Sequence, residues 1–119
     1  MNFYQPQDLP KLMVAPNGAR RTKSDHPAIP VTLEETVETA KRCYAAGAEA
    51  IHFHLRDDAQ QHILDAGLYK EGLAELYRQV PEMHLQITTE AVGQYSPEEM
   101  TKIAYDVMPP GISIGVAEM

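Results

Sequence analysis

Four short apolar runs alternate with three helix-patterned stretches along the chain, and no other feature restricts the fold as much. The runs are Lys11 to Pro16, Ala50 to Leu55, His84 to Thr89 and Ile112 to Val116, so their starts lie 28 to 39 residues apart. Each interval holds one helix. Thr32, with Glu35 three residues later, forms a capping box after Pro30, and the stripe Leu33, Val37, Ala40, Tyr44 leads to Gly47, placed as a C-terminal cap. Asp65 caps a second helix whose inward face reads Tyr69, Leu73, Leu76 and Val80 before Pro81 stops it. Ser96-Pro97-Glu98-Glu99 supplies an N-cap, a proline in the first turn and a capping-box glutamate. Met100, Ile103, Ala104 and Val107 then share one helical face, and Pro109-Pro110-Gly111 ends it.

Crossovers of this length allow parallel pairing, so the pattern predicts an α/β protein with a parallel sheet covered by helices. The sheet is either part of a closed barrel or an open doubly wound sheet, and periodicity does not separate them. In both, ligands are handled at the carboxyl ends of the strands. Those ends are Asn17-Gly18, His54 to Asp58, Thr89-Glu90 and Gly115 onward. No low-complexity linker interrupts residues 11–119, which form one unit, and residues 1–10, with Pro6 and Pro10 and no periodicity, read as an extended arm.

Ten Lys and Arg against seventeen Asp and Glu give a net charge of −7. That sign is wrong for a chain gripping a phosphate backbone, so nucleic acid is not expected as a partner. No apolar run approaches the roughly 20 residues of a membrane span, and the first residues lack the basic and apolar regions of a signal peptide. A cytoplasmic location and no membrane partner are the expectation. The lone Cys43 lies in a helical stretch and reads as a spectator thiol. Glycine turns for nucleotides and the G-x-S-x-G elbow do not occur.

His52 and His54 are two apart in a strand, so both side chains leave one face near its carboxyl end. Two imidazoles can fill two positions on Zn²⁺; hydrogen-bonded histidines lining the sheet are the plainer reading of the same pattern. Thr88 and Ser113 place hydroxyls at strand ends, where they can meet a carboxylate or serve the strand by shape alone. Arg20, Arg21 and Lys23 collect positive charge in the first loop and Arg56 adds to it in the second, which suits an anionic substrate. Asp25, Asp57 and Asp58 lie close enough to neutralise part of that charge. His26, His62 and His84 have no partner spacing.

Three segments taken together, Ala15-Pro16-Asn17-Gly18-Ala19, His52-Phe53-His54-Leu55-Arg56-Asp57 and Gln86-Ile87-Thr88-Thr89-Glu90-Ala91, resemble the beta-keto acid cleavage enzyme family. The resemblance runs from Lys11 almost to the end. It implies a TIM (β/α)8 barrel, of which 119 residues would supply about the first half, and a Zn²⁺-dependent retro-Claisen reaction. In that reaction a β-keto acid and acetyl-CoA, the CoA thioester co-substrate, yield acetoacetate and a new acyl-CoA. By the same resemblance His52 and His54 hold the metal, with a third protein ligand expected outside this chain. Thr88 is implied as a catalytic and substrate-binding residue, and Asn17, Gly18, Arg20 and Ser113 as substrate-binding. Arg20 stands where members that accept an amino-substituted keto acid have a glutamate, which implies a neutral or carboxylate-bearing substrate instead. A homo-oligomer is expected. The competing expectation is a stand-alone α/β unit that binds an anion or metal, or serves in assembly through the open edges of a four-stranded sheet.

Overall fold

A computed structural model describes residues 8–118. Most of the proposed arm, residues 1–7, lies outside them. The elements are β1 (Met13–Val14), α1 (Leu33–Ala45), β2 (Ala50–His52), β3 (Leu55–Arg56), β4 (His62–Ile63), α2 (Ala66–Gln79), β5 (His84–Thr88), α3 (Pro97–Val107) and β6 (Ile112–Ser113), followed by a 3₁₀ turn over Val116–Glu118.

The helices begin where their caps predict. Glu35 N–H donates to Thr32 Oγ1 and Thr32 N–H returns to the Glu35 carboxylate, while Ser96 and Glu99 repeat the exchange on α3. Asp65 accepts from Leu68 N–H on α2 at 2.8 Å. Gly47, at φ +109°, turns the chain out of α1 in a conformation that glycine adopts without strain. Tyr44 departs from the expected stripe: it is 37% exposed and its hydroxyl bonds the Glu82 carboxylate.

β1, β2, β5 and β6 form one parallel sheet in chain order, with Met13 opposite Ala50, His52 opposite Gln86 and Thr88 opposite Ser113. Among the described residues successive strands add on one side without reversal, an order compatible with a section of a barrel. Side chains alternate across the sheet. Ile51, Phe53, Leu85 and Ile87 join Val37 and Ala40 of α1, Tyr69, Leu73 and Leu76 of α2, and Ile103 and Val107 of α3 in one buried core. The Phe53 and Tyr69 rings meet edge to face at 5.9 Å. Their neighbours His52, His84 and Gln86 point to the opposite face, where they remain partly accessible. A cavity of about 520 Å³ opens there, lined by Leu9, Met13, His84, Gln86 and Gly111 among others. Parallel sheets are ordinarily covered on both faces. Among the described residues, helices cover only one.

Two strand expectations need correction. The second strand does not run through Leu55: its ladder ends after Phe53 N–H donates to Gln86 O, and Leu55-Arg56 turns away to pair antiparallel with His62-Ile63. Asp57 closes this hairpin, its Oδ1 accepting from Ala59 and Gln61 N–H at 2.9 Å each. Gln60 takes the left-handed position at φ +64°. Glycine is the usual signal there, so the hairpin has no sequence signature. The last strand stops at Ser113 rather than Val116, and the chain then bends into the 3₁₀ turn.

Candidate metal centre

The carboxyl ends of β1, β2, β5 and β6 bring His52, His54, Gln86, Thr88, Glu90 and Ser113 to one end of the sheet. His52 and His54 stay on one side of the chain, ring centroids 5.0 Å apart and Nε2 atoms 3.2 Å apart. Each partner around them restricts a proton. The Gln86 amide oxygen lies 2.6 Å from His52 Nδ1, and an oxygen of that kind only accepts, so Nδ1 carries the proton and Nε2 presents its lone pair. Residue 86 does this because it sits directly opposite His52 in the register.

His54 is 4% exposed, and burial first, then the charges of His52, His62 and Arg56, lower its pKa to about 3. It is neutral at physiological pH. Its Nδ1 is buried without a hydrogen-bond partner. Any tautomer therefore leaves a defect: a proton on Nε2 bonds His52 but bares Nδ1, and a proton on Nδ1 sets two lone pairs against each other. A shared cation removes the second conflict. Two nitrogens bound tetrahedrally at 2.0–2.1 Å stand about 3.4 Å apart, close to the separation seen here. The donor set and its spacing thus fit Zn²⁺ at the two Nε2 atoms. Among the described residues no set of three or more His, Cys, Asp or Glu side chains is arranged as a complete metal site, so a cation held here would take two ligands from the pair.

The surrounding residues are committed to holding this pair. Asn17, 5% exposed, donates from Nδ2 to the carbonyls of His54 at 2.8 Å and Pro30 at 3.2 Å, and accepts His54 N–H on Oδ1 at 3.2 Å. Its amide is spent on the backbone of His54. Gly18, at φ +59°, offers its carbonyl to Arg56, which also reaches the carbonyls of Asn17 and Gln60. Arg56 therefore staples the hairpin to the loop after β1. Thr88 is buried, accepting Glu90 N–H at 2.9 Å, with Ser113 Oγ 3.1 Å from its hydroxyl.

The cationic loop is less available than its sequence suggests. Arg21 pairs with Asp25, and Lys23 with Glu35 and two carbonyls. Arg20 is exposed and enters no ion pair among the described residues. Gln86, His62 and Glu90 are the members that sequence spacing misses. Gln86 becomes visible once parallel register is assumed; His62 enters only through the unsignalled hairpin.

The profile of the beta-keto acid cleavage enzyme family matches residues 11–119. A 3-keto-5-aminohexanoate cleavage enzyme from Fusobacterium nucleatum is 33% identical over 84 residues, 70% of this chain and 31% of that protein. A 3-oxoadipate:acetyl-CoA acetyltransferase from Cupriavidus necator is 30% identical over 78 residues, 66% of this chain and 28% of its own. A 3-keto-5-aminohexanoate cleavage enzyme from Acetoanaerobium sticklandii is 33% identical over 87 residues, 72% of the chain and 32% of the relative. The matched segments span about a third of these relatives.

Proposed function

The chain belongs to the beta-keto acid cleavage enzyme family, and from that premise we propose that the protein exchanges acyl groups between a β-keto acid and acetyl-CoA at a divalent metal held by His52 and His54. The carbon–carbon bond between the keto carbon and its carboxymethyl group breaks. The released acyl group ends on CoA, and the acetyl group of acetyl-CoA ends on the carboxymethyl carbon as acetoacetate. The observation carrying this reading is the pair of Nε2 atoms 3.2 Å apart with the Gln86 carbonyl fixing the His52 tautomer.

A cation bound there supplies Lewis acidity to a keto oxygen. The chain's own residues prepare the histidine pair and the substrate contacts beside it. Gln86 keeps the His52 proton on Nδ1, Asn17 fixes the His54 backbone, and burial keeps His54 unprotonated. The Thr88 and Ser113 hydroxyls, side by side across β5 and β6, are offered to the substrate carboxylate. Arg20, exposed and unpaired among the described residues, favours a neutral or carboxylate-bearing β-keto acid over a cationic one. The C. necator relative's name points to a dicarboxylic substrate of this kind. The remaining barrel strands and the third metal ligand come from outside these 119 residues. The uncovered sheet face and exposed Ile114 and Val116 support that completion, and assembly into a homo-oligomer. A cytoplasmic setting, where acetyl-CoA is at hand, belongs to the same proposal.

The test is acetoacetate formation by the full-length protein from acetyl-CoA and a panel of β-keto acids, with and without a chelator. Turnover that is lost with chelator and in His52→Ala/His54→Ala is expected, with 3-oxoadipate preferred over 3-keto-5-aminohexanoate. Full activity in the double variant overturns the metal assignment, and the reverse substrate preference overturns the role given to Arg20.

A further inference from the structure

His62 is the third histidine at this end of the sheet, 3% exposed, and neither the sequence pattern nor the proposed reaction uses it. It reaches in from β4, the returning strand of the hairpin. Its Nε2 lies 2.7 Å from the Glu90 carbonyl, which only accepts, so Nε2–H donates. Its ring meets His54 edge to face at 5.2 Å and Tyr95 at 6.5 Å. From the other side Glu90 N–H donates to Thr88 Oγ1. The Glu90 backbone is thus gripped by the hairpin through its carbonyl and by β5 through its amide. Its carboxylate Oε2 stands 3.9 Å from His54 Nε2, the atom that faces His52.

We propose that His62 is a positioning residue for the metal centre: its Nε2–H pins the Glu90 backbone while its ring backs His54, so that the His54 Nε2 lone pair stays aimed at the cation site and the Glu90 carboxylate lies beside it as a neighbouring charge. This rests on the metal-dependent reading above. The grip has something to restrain. Beyond Glu90 the chain passes through Val92 at φ +45° and Gly93 at φ +75°. A β-branched residue stays in the left-handed region only where its surroundings hold it. Without the His62 bond the segment relaxes, and the negative charge beside the histidine pair moves with it. Groups that orient metal ligands from behind commonly change affinity by about 10–100-fold when removed.

The experiment compares His62→Phe, which keeps a flat ring and loses the donor, with His62→Gln, which keeps an N–H able to reach the Glu90 carbonyl. Both are made in the full-length protein beside His52→Ala/His54→Ala. Co²⁺ affinity is read by competition with a chelating dye, the visible Co²⁺ spectrum reports ligand geometry, and circular dichroism checks the fold. The expected result is about tenfold or weaker Co²⁺ binding with an altered spectrum in His62→Phe, and recovery of most of the affinity in His62→Gln. Wild-type affinity and spectrum in His62→Phe overturn the proposal while leaving the metal reading intact. Equal losses in both variants also overturn it, because the hydrogen bond is then not the agent. Unchanged binding in the double histidine variant overturns the metal reading itself. Ring ¹⁵N–¹H correlations of the metal-free wild type give a check without any variant: a His62 proton on Nδ1 rather than Nε2 overturns the proposal.

Discussion

Asn17→Ala separates a positioning role from a direct substrate role for the residue after β1. The Asn17 amide makes three hydrogen bonds, two to His54 and one to Pro30, in a position that is 5% exposed. Alanine leaves two carbonyls and one N–H without their partner, at roughly 1 kcal/mol or more each for groups water reaches poorly. The expected destabilisation is about 3 kcal/mol, a large share of the 5–15 kcal/mol that holds a domain together. With a urea m-value of about 1.5 kcal/mol/M, the unfolding midpoint of the metal-free protein falls by about 2 M. Asn17→Asp sharpens the test. Its carboxylate keeps the acceptor for His54 N–H but sets its second oxygen against the Pro30 and His54 carbonyls, which raises its folded pKa above the unfolded carboxyl value. A raised pKa contributes stability below the unfolded value that is lost as pH rises through the folded one, so this variant lies nearer wild type at about pH 4 than at pH 7. A loss of less than about 0.5 kcal/mol in Asn17→Ala, or a pH-independent deficit in Asn17→Asp, refutes the reasoning.

Three further outcomes follow from named contacts. Gln86→Leu removes the acceptor that fixes the His52 tautomer, and Co²⁺ affinity is expected to weaken by about 10–100-fold in a dye-competition titration. Gly72→Ala stabilises by about 0.5–1 kcal/mol in urea denaturation, because α2 gains a better helix former whose Cβ meets Leu33 and Phe53 at ordinary contact distance, 3.5 Å from each. The Glu35 carboxyl is held below its usual range, first by its bond to Lys23, so it contributes stability above the unfolded carboxyl pKa that is lost as pH falls through the folded value. Lys23→Met is expected to flatten that acid limb in a stability-against-pH series.

The helices were legible because their ends are written in short side chains at fixed offsets: Thr32 with Glu35, Asp65, and Ser96 with Glu99 report local hydrogen bonds that need no tertiary partner. The histidine pair was legible for a similar reason, since residues two apart near a strand end share a face. The hairpin was hidden because Gln60 occupies a turn position where glycine ordinarily gives the signal. With it went His62, whose partner Glu90 is 28 residues away along the chain. Asn17 was readable as a turn residue at a strand end, but its three bonds to the backbone of residues 30 and 54 belong to the assembled sheet.

The one-sided covering of the sheet ties two equilibria together. His52 and Gln86 stand on the face that helices leave open, so water still reaches one member of the pair that would bind the cation. Whatever segment closes that face excludes this water and strengthens every charge interaction inside. Linkage then works in both directions: a cover that tightens cation binding by some factor is itself held more tightly by the same factor when the cation is present. Zinc would act on such a protein as a fastener as well as a Lewis acid, and metal starvation would show as loosened assembly as well as lost turnover.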